Sequence, residues 1–315
     1  MGKKIKLGVI GLGYLGKYHL KHLSLLNCVE IIGIYDIDQN LTIELAKQHK
    51  VKACKSLSEL LNQASAVSIV TPTNTHAEIA MKALKLGCHI FIEKPICDSV
   101  KSAQQIQNNA QNRVAHVGHI ERFNPAFVTF MKKKPNPLFI ECHRLTKVNN
   151  RSMDISVVLD LMIHDIDLLI NMINSPIKEI IADGISVIST NIDLANVKLI
   201  FENNCVANLT ASRISNKNMR KIRVFETQTY TSIDLLNKEL VEYSATKNSQ
   251  TNELIFDNNN IKVDSYDALA TELTCFCNAI FENNFSNKNI STAIDALDIA
   301  KKINIIIQDK RNNLK

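Results

Sequence analysis

The sequence predicts an α/β protein in two parts. A doubly wound parallel sheet is expected over residues 1–118, followed by an α+β domain with an open, mainly antiparallel sheet over residues 119–315. Three observations carry this reading. Up to Gly118, short apolar runs alternate with helical stretches, an order that lays strands parallel with helices on both faces. Beyond it, strand-like runs follow one another with only turn residues between them, which pairs them antiparallel. At 315 residues the chain is also too long for one ordinary core.

The elements of the first part come in regular order. Residues 5–10 (IKLGVI) form a strand, 17–26 a helix and 29–35 (VEIIGIY) a second strand. Residues 41–49 read as a helix, 51–54 as a short strand, and 56–63 as a helix with Ser56 at its N-cap. Residues 66–70 are a buried strand. The amphipathic helix 76–86 closes at Gly87, and 89–92 is the fifth strand. A helix opens at Asp98-Ser99, and residues 113–117 make a sixth strand ending at Gly118.

Composition narrows the function classes. Hydrophobic residues make up 45% of the chain and charged residues 22%, the balance of a soluble globular protein. The net charge is +6, yet Lys and Arg are scattered, and the tight run at residues 132–134 has no interleaved aromatics. It reads as a solvated loop, which sets nucleic acid aside as a partner, while the basic excess suits an anionic small substrate. No apolar stretch approaches membrane length and the N-terminus runs directly into a strand, so a cytoplasmic protein without a membrane partner is expected. The eight cysteines lack zinc or thioredoxin spacing; buried thiols in a reducing compartment are expected, and no metal site.

Between the first strand and first helix stands Gly11-Leu12-Gly13-Tyr14-Leu15-Gly16, a G-x-G-x-x-G in its required context. The first Gly permits a tight turn, the second lets backbone approach a pyrophosphate, and the third allows close helix–strand packing. The phosphates would sit at a helix N-terminus, where N–H groups and the dipole favour anions. Asp36 ends the second strand, 20 residues after Gly16, where a carboxylate accepts hydrogen bonds from ribose hydroxyls. It would repel a 2′-phosphate, and Ile37 and Asp38 offer no Arg in compensation, so NAD is favoured over NADP. This is a Rossmann dinucleotide-binding domain. Residues 90–96 (IFIEKPI) then deliver Glu93-Lys94-Pro95 at the carboxyl end of a parallel strand, the side on which such sheets bind ligands. Lys94 is expected where the two halves of the chain meet.

Downstream, Asp160 and His164 are four residues apart, so on a helix they share one face. Their neighbours Leu159, Leu161, Met162, Ile163 and Ile166 predict a largely buried helix over residues 153–173. A histidine titrates in the range a general base needs, a carboxylate can orient it, and an ammonium can stabilise an alkoxide. The bland alternatives are a satisfied core histidine and salt-bridging carboxylates. His19 and His22 read as packing or solvent-facing residues.

Taken together, GLGYLGKYH, TPTNTH, EKP, GHIERFNP and VLDLMIHDID resemble the Gfo/Idh/MocA family of nicotinamide-dependent oxidoreductases over essentially the whole chain. The resemblance implies Lys94, Asp160 and His164 as catalytic residues, with Asp167 at a further family position. It places Leu15 of the Gly motif, Thr71, Pro72, Asn74, His76, Glu93, Lys94 and Arg122 at the cofactor, beside Gly11, Gly13, Gly16 and Asp36. One departure is Met162, where many members have Gly, and it bears on the shape of the substrate pocket.

In the second part, residues 138–145, 178–189, 195–201, 205–212, 220–226, 229–235 and 239–243 read as strands, with a hairpin turn at Glu202-Asn203-Asn204. Residues 246–260 look loop-like, with a short strand at 254–256. Helices are expected at 266–281 and 291–307, the last packing back on the Rossmann domain. The resemblance assigns the open sheet face to substrate binding or to a homo-oligomer, a dimer or tetramer. Arg144, Arg151, Arg213 and Arg223 are candidates to grip a phosphate or carboxylate, with Arg144 and Arg151 joining Asp160 and His164 at the substrate. The segments around HIERFNPAF and RSMDISVVLDLMIHDIDLL are similar to members that oxidise nucleotide-linked sugars such as UDP-N-acetylglucosamine. The alternatives are a free polyol or inositol-like dehydrogenase, a biliverdin-reductase-like enzyme, and an NAD-binding sensor without turnover.

Overall fold

The computed structural model describes residues 4–148, 153–247 and 254–313. Two compact units result: Met1–Ile120 with Asp267–Ile294, and Glu121–Tyr266 with Asp295–Lys315. In the first, β1 (Ile5–Ile10), β2 (Val29–Tyr35), β3 (Ala66–Ile69), β4 (His89–Glu93) and β5 (Ala115–Gly118) form a parallel sheet in the order β2-β1-β3-β4-β5. These strands are short apolar runs because helices cover both sheet faces; all four residues of β3 are buried. The covering helices include α1 (Tyr14–Leu25), α2 (Gln39–His49), α3 (Leu57–Leu61), α4 (Thr73–Lys85) and α5 (Val100–Asn109). Asp38, Ser56 and Ser99 cap α2, α3 and α5 by accepting N–H bonds in the first turn.

The sheet has five strands rather than the expected six. Residues 51–54 contribute a single bridge, Ile34 to Ala53. The ladder stops there because a capping arrangement takes the chain over: Ser56 Oγ accepts the Glu59 N–H, and Glu59 reaches back to the Lys55 N–H at 2.8 Å.

The last helix is expected to pack back on the Rossmann domain, but the helix before it takes that place. α8 (Ala268–Phe281) joins the first unit, its Leu273, Phe276 and Cys277 packing in the core of Leu7, Val9 and Phe91. α9 (Lys288–Asn313) is fixed to the first unit only at its start, where Asn289 accepts the Val117 N–H at 2.7 Å and Ser291 accepts from Gln107 at 2.6 Å. Its Ala296, Ala300, Ile303 and Ile307 belong to the core of the second unit.

The second unit opens with a 3-10 turn (Ile120–Phe123) and α6 (Pro125–Met131), a helix the sequence reading passed over although Asn124 caps it and Pro125 occupies its first turn. β6 (Phe139–Lys147) follows, then a π-helical turn (Val158–Met162) running into α7 (Ile163–Met172). The remaining strands are β7 (Ile177–Ile185), β8 (Leu194–Phe201), β9 (Val206–Ser215), β10 (Met219–Glu226), β11 (Thr229–Asp234), β12 (Glu239–Lys247) and β13 (Leu254–Ile261). The sheet order is β13-β12-β11-β10-β6-β9-β8-β7, antiparallel except for β6 beside β9. The turn at Glu202-Asn203-Asn204 joins β8 to β9 as expected, with Asn204 at φ +67. The stretch expected as loop is instead largely strand. Main-chain pairing from Leu240–Ile261 to Lys247–Leu254 needs no apolar side chains, so its Asn-rich sequence hides an edge strand. One sheet face covers α7 and α9. On the other, Phe139, Phe225, Tyr230 and Tyr243 stand directly opposite one another on four adjacent strands, with ring centroids 4.8–5.9 Å apart.

Candidate active site

A cleft of about 580 Å3 opens in the first unit where the strand order reverses around β1 and β3. Gly11, Gly13, Leu15, Asp36, Thr71, Pro72, Glu93 and Lys94 line it. Gly11 has φ +89, and a Cβ there would lie 2.5 Å from the Val70 carbonyl. A Cβ on Gly16 would lie 2.0 Å from the Gly11 carbonyl, so α1 sits directly against the turn from behind the cleft. A Cβ on Gly13 would meet nothing within 4 Å. The room in front of the helix N-terminus fits a pyrophosphate beside backbone N–H groups. Asp36 accepts the Leu12 N–H at 2.7 Å and the Asp38 N–H at 3.0 Å, bracing the Gly-rich turn while its carboxylate faces the cleft.

Sequence reasoning missed Ile10, Tyr14, Tyr35, Ile37, Val70, Thr75 and Ile79, which complete the lining. Asn74 is a correction: it is exposed and outside the lining, while Thr75, hydrogen-bonded to Thr71 at 2.7 Å, takes that place. α4 starts at Thr73 rather than at His76, and the added turn sets Thr75 inward. His76 is corrected too. It is buried below the cleft wall, with Nε2 2.7 Å from the Thr71 carbonyl and Nδ1 3.0 Å from the Pro95 carbonyl. Burial lowers its pKa, with the two carbonyl contacts opposing. It ties the loop after β3 to the loop after β4, where the Lys94–Pro95 bond is cis.

Glu93 accepts the Lys94 N–H through Oε2 at 3.1 Å and meets His19 Nε2 through Oε1 at 2.9 Å. Burial alone would raise its carboxyl pKa; the hydrogen bond and charge of His19, with Lys94, outweigh it and hold the group below the usual range. His19 is therefore packed rather than solvent-facing, and it carries two polar contacts as well.

In the second unit, Asp160 lies within the π turn and His164 in the first turn of α7, both half-buried among the fully buried Val158, Met162, Ile163 and Ile166. The sequence predicted uninterrupted α-helix here. A π turn re-aims side chains and is frequent at functional sites. The approach to it is pinned from three sides: Asn191 donates to the Met153 carbonyl at 3.0 Å, Val157 N–H to Ile192 at 2.8 Å, and Arg213 to Ile155 at 2.6 Å. Met162 is wholly buried in the core.

Arg144, expected at the substrate, is 2% exposed, and its guanidinium is engaged by Asp165 through contacts of 2.7–3.1 Å and by Glu121 at 2.8 Å. Burial raises the Asp165 carboxyl even with Arg144 beside it. For Glu121, burial acts upward but Arg144 and Arg220 prevail and lower it. Arg122 forms a bidentate pair with Asp167. Arg213 is buried as described, and Arg223 pairs with Glu141 at 3.1 Å. Arg151 lies outside the described residues. Among the described residues no cluster could hold a metal ion and no helix is long and apolar enough to cross a membrane. All eight cysteines are thiols outside any disulfide, six of them buried; Cys28 is half-buried and Cys275 exposed.

Comparison with known proteins agrees with this anatomy. Residues 5–119 match the oxidoreductase family with an NAD-binding Rossmann fold, and residues 126–230 match the GFO/IDH/MocA C-terminal domain. The chain is 33% identical over 280 residues to a UDP-N-acetylglucosamine 3-dehydrogenase of Acidithiobacillus ferrooxidans, covering 88% of each protein. It is 25% identical over 230 residues to a myo-inositol 2-dehydrogenase of Thermotoga maritima, covering 66% of this chain and 69% of that protein. The crystal structure of the Acidithiobacillus enzyme superposes with a TM-score of 0.88 at 30% identity, covering 98% of this chain and 99% of that one. A Lactobacillus casei scyllo-inositol dehydrogenase shares the fold, with a TM-score of 0.79 at 18% identity and coverage of 98% and 97%. With a cleft built for a dinucleotide and matches along both units, the chain belongs to the Gfo/Idh/MocA family of NAD-binding oxidoreductases.

Proposed function

We propose that the chain is a dehydrogenase acting on a secondary hydroxyl of a nucleotide-linked sugar of the UDP-N-acetylglucosamine class. Bound NAD supplies the hydride acceptor. His164 takes the hydroxyl proton, Asp160 sets the orientation of the imidazole, and Lys94 stabilises negative charge developing on the oxygen. The observation that carries the reading is the 33% identity over 88% of the chain to a UDP-N-acetylglucosamine 3-dehydrogenase, with Lys94, Asp160 and His164 all present. The half-buried setting of Asp160 and His164 in an otherwise buried helix supports it. The first unit serves NAD and the second serves substrate. The open sheet face with its aromatic row joins copies of the chain into a homo-oligomer, and the enzyme works in the cytoplasm.

The test is nicotinamide absorbance with purified protein, NAD or NADP, and a panel of UDP-sugars and free polyols. Reduction of NAD with UDP-N-acetylglucosamine and not with polyols is expected. Reduction with inositols alone would favour the polyol reading, and NAD binding without turnover on any of them the sensor. Lys94→Ala and His164→Ala are each expected to lower kcat by a factor on the order of 10²–10⁴. Full turnover by both variants would sink the assigned chemistry.

A further inference from the structure

The buried face of the Lys94 loop carries a relay that the chemistry above does not use. His19 stands on α1 three residues after the last glycine of the cofactor turn and is 1% exposed. Its Nδ1 lies 2.9 Å from Ser68 Oγ on β3 and its Nε2 2.9 Å from Glu93 Oε1 at the end of β4. The other Glu93 oxygen accepts the Lys94 N–H at 3.1 Å. The ring also meets Phe91 of β4 edge-on, with centroids 5.3 Å apart. β5 completes the seat by leaving space: a Cβ on Gly118 would come within 2.9 Å of Glu93 Oε1. α1 and β5 thus close on one carboxylate at the end of β4, and β3 backs the histidine that holds it. Ser68 is fully buried in the middle of the sheet, which rules out a nucleophilic role for this Ser-His-Glu series.

We propose that His19 is a positioning residue for Lys94. It clamps Glu93, and Glu93 in turn holds the Lys94 main chain in one conformation at the cleft. A carboxylate held at both oxygens cannot swing, so the residue after it inherits a fixed backbone origin. The role given to Lys94 itself rests on the function proposed above; the clamp does not.

The test separates the two. Residue-resolved amide exchange on the full-length protein without ligand should show the Lys94 N–H exchanging at least ~10-fold faster in His19→Ala, while the N–H groups of Ile90 and Ile92 keep their rates. His19→Gln, whose side-chain N–H can replace that of Nε2, should restore protection. Ser68→Ala, which removes only the far support, should show a smaller increase in the same place. With UDP-N-acetylglucosamine as substrate, His19→Ala should lower kcat about tenfold with the dissociation constant for NAD unchanged. Unchanged Lys94 exchange in His19→Ala would overturn the clamp whatever Lys94 does. So would faster exchange throughout β4 that His19→Gln leaves uncorrected, since that pattern marks general packing. Full turnover of Lys94→Ala with the localised exchange change intact would instead remove the catalytic reading and leave the clamp standing.

Discussion

The two units hold polar constellations still in opposite ways. In the first, the cleft is shaped by main chain: Gly11 turns with φ +89, Gly16 lets α1 press on the Gly11 carbonyl, and Gly13 leaves open room. In the second, the segment carrying Asp160 and His164 is held by side-chain charge. Arg144 reaches Asp165 and Glu121 across 21 and 23 residues, and Arg122 reaches Asp167 across 45. A backbone-built site depends on where side chains are missing. A charge-built site depends on each ion keeping its partner, because removing one leaves the other buried and uncompensated.

The largest effect should follow from breaking the charge-built half. Arg144→Met would leave Asp165 and Glu121 buried without their shared guanidinium, with Glu121 keeping Arg220 at 3.3 Å and the Asn124 amide at 3.1 Å. A loss of about 3–5 kcal/mol in denaturant unfolding of the second unit is expected. Part of it should be relieved at acid pH, where the stranded carboxyls take up protons. Adding Asp165→Leu and Glu121→Gln should recover most of the loss, because the penalty lies in the unpaired charge. If Arg144→Met unfolds within about 1 kcal/mol of the parent, the contrast between the units is wrong.

Gly13→Ala probes the backbone-built half. Its Cβ would meet no protein atom within 4 Å, so the melting temperature should stay within about 2 °C of the parent. The methyl would fill space that the cofactor phosphates need, and affinity for NAD should fall about 10- to 100-fold, or about 1.4–2.7 kcal/mol, by calorimetric titration. Loss of stability together with affinity would mean that Gly13 serves the turn and not the ligand.

This difference also explains what could be read in advance. Gly11, Gly13, Gly16 and Asp36 fall within 26 residues of one another, flanked by strands, so local pattern was enough to place them. Lys94 was legible because it ends an apolar run at the carboxyl edge of the sheet. Nothing local marks Arg144 as buried: on an alternating strand its partners could only be found in three dimensions, and Arg types suggest oxyanion binding equally well. His19 was readable as a packing residue, but its polar partners were not, because nothing in the pattern of α1 shows that Ser68 and Glu93 lie opposite it. The π turn at Val158–Met162 leaves no trace in hydrophobic spacing, and β13 hid because an edge strand pairs through main chain. That α8 rather than α9 would supply the first core was likewise out of reach, since Leu273 and Phe276 of α8 and Ile303 and Ile307 of α9 are equally apolar.

The smallest effect tests the charge-built half at its periphery. Asp193 accepts the N–H groups of Val187, Ile188 and Ser189 at 2.7–3.0 Å and the Ser189 hydroxyl at 2.6 Å, fixing the loop that supplies Asn191 and Ile192 to the start of the π segment. Burial pushes its carboxyl upward, but these four donors prevail and hold the pKa at about 2 against the ordinary 3.8. A folded pKa below the unfolded one gives stability that is fully present above about pH 4 and is lost as pH falls toward 2. Asp193→Asn should therefore cost on the order of 1–2 kcal/mol at neutral pH, and the gap between variant and parent should narrow as pH is lowered through this window. A gap constant from pH 7 to pH 3 would assign the loop's order to the shape of the side chain. Narrowing would assign it to the carboxylate charge, the same kind of support that Arg144 receives deeper in the unit.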